Sequence, residues 1–280
     1  MRIDAHQHFW RYRPETHGWL SERMAALRRD FLPEDLEPLL CAFGFDGCVA
    51  VQTAQSLEET RFLLQLATRH PFVKAVVGYV DLVSPDLEQQ LDELCAHSSF
   101  RGVRHIAQDE PDDRWLARPD VVRGIGALRR YGLSYDILVY ARQLPAAIEL
   151  VRQLPDQPFV LDHLAKPEIR AGRLEPWRTD MRRLAAHENV VAKLSGLVTE
   201  AAWDRWSAAE IRPYLEVALE AFGPARLLIG SDWPVCLLAG DYGRVIGLAA
   251  DFVRSLSPDE QAAIFGANAL RCYGIAGGTT

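Results

Sequence analysis

The sequence predicts a single (β/α)8 barrel of the TIM type over residues 1–280. Three observations carry this. Eight strand-like runs recur along the chain, helical patterns separate them, and most of the runs are apolar rather than strictly alternating. Alternating strands and helices build a parallel sheet covered by helices. Strands covered on both faces read as near-continuous apolar runs. The 280 residues shared among eight units make about 35 each, the size of one barrel repeat. No Gly/Ser-rich linker or change of composition divides the chain.

Each element follows in order. The first strand is 1–8 (MRIDAHQH), and 9–33 is the longest irregular stretch. Loops of that length are uncommon in compact domains and are often functional. A helix over 34–43 leads to the strand 46–52 (DGCVAVQ). Ser56 and Glu59 have capping-box spacing and open the helix SLEETRFLLQLATRH. After the strand 74–82, Pro85 and Asp86 start PDLEQQLDELCAH. Strands at 100–106, 133–139, 158–165 and 190–197 follow, with helices over 119–131, 143–153 and 176–187 between them. Ser207 and Glu210 open the next helix, which Gly223-Pro224 ends. The eighth strand is 226–232 (RLLIGSD), and Ser257, Pro258 and Glu260 start the last helix.

Composition narrows the function. The formal net charge is −7 and no run of Lys or Arg offers a phosphate-tracking face, which argues against nucleic acid as a partner. No apolar stretch reaches 18 residues and no leader pattern opens the chain, so a cytoplasmic protein with no membrane partner is expected. Five scattered cysteines without a C-x-x-C pair fit a reducing compartment. The expected partner is a small molecule.

In such barrels the chemistry sits at the C-terminal ends of the strands. Four of the eight histidines fall at predicted strand ends. Strand 1 ends in His6-Gln7-His8, whose two imidazoles share a face because strand residues two apart do. Strand 4 ends in Arg104-His105, strand 6 in Asp162-His163 with Lys166 beyond, and strand 8 in Ser231-Asp232-Trp233. A lone His at a strand end is more often structural than functional. Three distant segments that meet only in a barrel are a stronger signal. Arg104 and His105 have opposite parity, so one of them faces inward. Lys193 and Ser195 are equally compatible with bracing the barrel and with touching a substrate. The acidic run around Asp109 and Glu110 reads as a solvated loop, and Cys236 as a small buried hydrophobe.

The segments IDAHQHFW, GVRH, LDHLAKP, KLSGL and GSDWP resemble the amidohydrolase superfamily, in its branch of sugar lactonases and pyrone dicarboxylate lactonase. The resemblance runs nearly the whole chain. It implies that His6, His8, His163 and Asp232 surround the hydrolytic water, with Arg104 and Lys166 near the lactone carbonyl. In this reading Asp232 is the general base, and Arg104, His105 or Lys166 stabilises the oxyanion. Trp10 and Trp233 are expected as pocket walls and Gln52 as a hydroxyl contact. One divalent metal of zinc type on His6, His8, His163 and Asp232 is expected, though it need not be required for activity. No bridging ligand for a second metal is evident. The substrate expected is a six-carbon aldonolactone, with the L-fucono configuration preferred. A metal-dependent decarboxylase on the same barrel and a non-catalytic sugar-binding barrel are the alternatives.

Overall fold

The computed structural model describes residues 1–277. Eight parallel strands follow one another around the sheet in chain order. They are β1 (Ile3–Gln7), β2 (Gly47–Val51), β3 (Val73–Gly78), β4 (Phe100–His105), β5 (Ser134–Ile137), β6 (Phe159–Leu161), β7 (Val190–Leu194) and β8 (Leu227–Ile229). The last edge closes just beyond β8, where Gln7 pairs with Trp233 in parallel. His8 N donates to Trp233 O at 2.7 Å, and Asp232 N donates to His6 O at 2.8 Å. The same seam holds Asp4, whose carboxylate accepts from Ser231 N (2.9 Å) and from the Tyr242 hydroxyl (3.1 Å). This seam joins the two end strands of the sheet and brings the segment carrying Asp232 beside the segment carrying His6 and His8.

Helices cover the outside. They are α1 (Pro33–Ala42), α2 (Leu57–Arg69), α3 (Leu87–Cys95), α4 (Pro119–Ala127), α5 (Leu144–Gln153), α6 (Trp177–Ala185), the short α7 (Leu197–Glu200), α8 (Ala208–Phe222), α9 (Tyr242–Val253), α10 (Pro258–Ala262) and α11 (Asn268–Cys272). Their apolar faces and the outer faces of the strands form one large core. A smaller apolar cluster, including Ile3, Val49, Ala75, Val160 and Leu228, fills the barrel interior with Tyr273.

The expected helices occur with shifted ends, the short α7 is additional to them, and so is α9. Gly243 and Gly247 weaken its helical pattern, while Asp241 caps it by accepting from Arg244 N at 2.7 Å. At α2, Ser56 caps Glu59 N (3.1 Å), but the Glu59 carboxylate turns to Thr53 and Ala54 instead of closing the box. The stretch 9–33 is folded back on itself by a Trp10–Phe31 bridge.

Several strands end earlier than expected. β6 stops at Leu161 because His163, Leu164, Ala165 and Lys166 all take left-handed backbone angles, with φ of 53, 50, 58 and 47°. Beyond β8, Asp232 also has φ of 57°. Such conformations disfavour non-glycine residues and cluster at functional sites.

Candidate active site

β1 carries His6, and His8 follows directly after its end. A register irregularity between Asp4 and Gln7 interrupts its pairing with β2, and bulges of this kind re-aim side chains at barrel rims. His6 Nε2 and His8 Nε2 lie 3.2 Å apart. His8 Nδ1 is 2.8 Å from Val51 O. A carbonyl only accepts, so Nδ1 carries a proton, and in the neutral ring Nε2 offers its lone pair to the centre.

Asp232 stands opposite. Its Oδ1 is 3.3 Å from His8 Nε2, 3.8 Å from His6 Nε2 and 3.9 Å from His163 Nε2. The rings of His6 and His163 are 4.4 Å apart. All three imidazoles therefore meet one carboxylate oxygen. His163 is braced from behind by Ser195 Oγ, 2.9 Å from its Nδ1. Burial opposes the negative charge on Asp232. His163, His8 and His6 outweigh that and hold its carboxyl well below the usual carboxylate range. Burial also pushes His163 down to about 4 and His6 well below an ordinary histidine, so both are neutral near pH 7.

Beneath His6 lies a layer that the sequence did not reveal as a unit. The Lys193 ammonium, fully buried on β7, is 2.7 Å from Asp136 Oδ2 and 2.9 Å from Asp162 Oδ1. Asp162 also pairs through Oδ2 with Arg104 Nη1 at 2.9 Å. Two carboxylates thus face two cations, which is the condition for keeping charges out of water. Burial lowers the affinity of Lys193 for its proton, and the two carboxylates more than restore it. Lys193 and Ser195 therefore brace His6 and His163 from behind.

Above the carboxylate opens a cavity of about 420 Å³. His8, His163, Asp232, Arg104 and Lys166 line it together. Trp19, Trp203, Tyr140, Thr53 and Glu200 form much of its wall.

Four expected contacts lie elsewhere. His105 has the outward parity: its ring stacks on Trp115 at 3.9 Å and its Nε2 meets Glu110 at 2.6 Å, away from the cavity. Gln52 does not line the cavity. Its amide donates to Arg104 O (3.1 Å), and its carbonyl oxygens accept from Arg104 Nη2. Trp10 is buried against Phe31, and its indole donates to Arg29 O, because the 9–33 loop folds over it. It borders a separate cavity of about 390 Å³ beside α2. Trp233 is 2% exposed and packs between Phe9 and Phe31. The aromatic walls are instead Trp19 and Trp203, with Tyr140. Of the acidic run, Asp109 lines the cavity, while Asp113 pairs with Arg142 at 2.9 Å.

The donor set suits a metal. His6, His8 and Asp232 each offer one ligand atom within a common small sphere. A second group, His6, Asp162 and His163, has the same spacing, but its carboxylate is already occupied by Lys193 and Arg104. Two imidazole nitrogens and a carboxylate oxygen fit a zinc-type ion. The group Asp162–Lys193–Asp136 has no local motif, because Asp136 lies on β5, Lys193 on β7 and Asp162 directly after β6. The only signal was the scarcity of lysine, which has three occurrences.

Comparison with known proteins gives consistent results. A family model described as amidohydrolase matches residues 3–275. The chain is 44% identical over 278 residues to an L-fucono-1,5-lactonase of Burkholderia ambifaria, covering 98% of this chain and 96% of that protein. It is 43% identical to the L-fucono-1,5-lactonase of Burkholderia multivorans, with the same coverage. A crystal structure of a Burkholderia multivorans amidohydrolase with bound zinc superposes with a TM-score of 0.96 at 42% identity, covering 99% of this chain and all of that one.

Proposed function

The chain belongs to the amidohydrolase family, and on that premise we propose that it is a lactonase that hydrolyses L-fucono-1,5-lactone to L-fuconate. The observation that carries the chemistry is Asp232: an ionised, buried carboxylate under three imidazoles at the floor of an aromatic-walled cavity. The full-length likeness to two L-fucono-1,5-lactonases supports the substrate.

In this mechanism Asp232 takes a proton from water as the water oxygen bonds to the lactone carbonyl carbon. Negative charge develops on the carbonyl oxygen. Lys166 and Arg104 are the cations lining the cavity and stabilise it. Arg104 is held in place by Asp162 and Gln52. The tetrahedral intermediate then breaks its bond to the ring oxygen, which recovers the proton from Asp232. The product acid ionises at neutral pH and releases a proton to the medium. His6, His8 and Asp232, with His163 alongside, would hold one zinc ion. Bound there, it would supply a Lewis acid and a more acidic water.

A pyrone dicarboxylate would bring two further carboxylates, each needing its own cation. Arg104 and Lys166 are the only Arg and Lys among the described lining residues. The test is kcat/KM across L-fucono-, D-arabinono-, L-galactono- and L-rhamnonolactones and the pyrone, read with a pH indicator. The L-fucono lactone is expected to be best. The lactone lacking the C6 methyl should be slower by no more than roughly 10–200-fold, the scale of one methyl pocket. Turnover of the pyrone at a comparable rate would overturn the assignment.

A further inference from the structure

Two opposite charges line the catalytic cavity, each beyond salt-bridge distance of any partner among the described residues. They are Lys166 and Glu200. Among the described residues neither side chain makes an ion pair or a hydrogen bond, and the Lys166 ammonium rests over the Tyr140 ring at 5.4 Å. Most other buried or half-buried acids around this barrel are spoken for. Asp162 and Asp136 hold Lys193. Glu59 holds the backbone of Thr53 and Ala54. Asp232 faces the imidazoles. Asp109 also lines the cavity but is exposed, so water competes for it.

Glu200 is half-buried at the end of α7. Burial pushes its carboxyl up, Lys166 opposes that, and Asp232 adds to it. Three residues on, the Trp203 indole donates to Thr199 O at 2.9 Å, which fixes the ring on the same wall. A half-buried carboxylate with free lone pairs beside an aromatic face is suited to a polyhydroxylated ring. The face takes the C–H side of the ring, and the carboxylate accepts from O–H groups.

We propose that Glu200 is a specificity-determining residue whose carboxylate accepts hydrogen bonds from ring hydroxyls of the lactone. This rests on the lactonase reading above. It assigns recognition of hydroxyls to α7, apart from the groups that act on the carbonyl. A site built to pair with hydroxyls disfavours a substrate that lacks them, because the carboxylate is then desolvated without a partner.

The experiment compares L-fucono-1,5-lactone with δ-valerolactone, a six-membered lactone without hydroxyls, on the wild type, Glu200→Gln and Glu200→Ala. Thermal melts check folding. Inhibition by L-fuconate against unsubstituted pentanoate reads the same contact without turnover. The expected result is a fall in kcat/KM of roughly 10–100-fold on the fuconolactone in Glu200→Ala, the scale of a charge-assisted hydrogen bond, and less in Glu200→Gln. Valerolactone turnover should change by less than about threefold, and L-fuconate should lose its advantage over pentanoate. Equal losses on both lactones, or no loss on the fuconolactone, would overturn the proposal while leaving the lactonase reading intact. Failure of the wild type to open any lactone would overturn both.

Discussion

The ammonium of Lys193 sits 3.1 Å from Nδ1 of His6. Asp162 Oδ1 lies 3.2 Å from the same nitrogen. His6 Nδ1 therefore faces a donor and an acceptor at once. With Lys193 donating, the proton of the neutral ring is on Nε2, directed at the lone pair of His8 Nε2. With Asp162 accepting, the proton is on Nδ1 and Nε2 is free to ligate a cation. The layer beneath the site serves either tautomer without moving the ring.

Removing the proposed base should separate folding from chemistry. Asp232→Asn is expected to lower kcat by roughly 10²–10⁴-fold with an unchanged circular dichroism spectrum. More than about a tenth of wild-type turnover would place the base elsewhere.

Lys193 should be a stability hot spot. Lys193→Met leaves Asp136 and Asp162 buried with one cation fewer. Breaking a buried pair in this way costs about 3–5 kcal/mol, read from urea unfolding. Adding Asp136→Asn should recover part of the loss, since it removes one stranded charge. A double variant less stable than the sum of the two single ones would contradict this account.

Gly196 controls His163. Its φ is +65°, and a Cβ there would lie 2.4 Å from His163 Nδ1. Gly196→Ala should lower kcat/KM by displacing the ring. Gly132→Ala, with φ of +67° and open space around it, should carry only the backbone cost of about 1–2 kcal/mol. Equal activities in the two variants would show that the contact with His163 is not limiting.

One equivalent of zinc per chain is expected by calorimetry and metal analysis. His8→Ala should abolish binding. At a hundredfold excess over Kd, zinc should stabilise the wild type by about 2.7 kcal/mol. Two equivalents would mean that the Asp162 group, already neutralised by Lys193 and Arg104, also takes an ion.

Acid should destabilise the fold through His163. The unfolded chain takes up that proton near 6.5, whereas the folded chain resists until about 4. Between those values the unfolded state binds more protons, so stability falls as pH drops from 6.5 towards 4 and is unaffected above 6.5 by this group. The slope is about 1.4 kcal/mol per pH unit. His163→Gln should lose one proton's worth of that slope in melts taken at pH 6.5 and 5. An unchanged slope would mean that His163 is not held neutral.

The barrel was legible in the sequence because its causes are local. Apolar runs, capping residues such as Ser257 with Glu260, and the βα spacing each act within a few residues. The convergence of His6, His8, His163 and Asp232 was legible for a related reason: in a barrel, strand order alone sends strand-end residues to one face. Direction and partnership were not local. The parity of Arg104 against His105 was settled by β4 register and by Trp115 stacking on the outer imidazole. Trp10 and Trp233 read as loop aromatics, yet the folding of 9–33 buried them and left Trp19 and Trp203 at the cavity. The charge layer of Asp136, Asp162 and Lys193 exists only where β5, β6 and β7 lie side by side. A buried ion finds its partner across strands, through space, and chain order does not specify that distance.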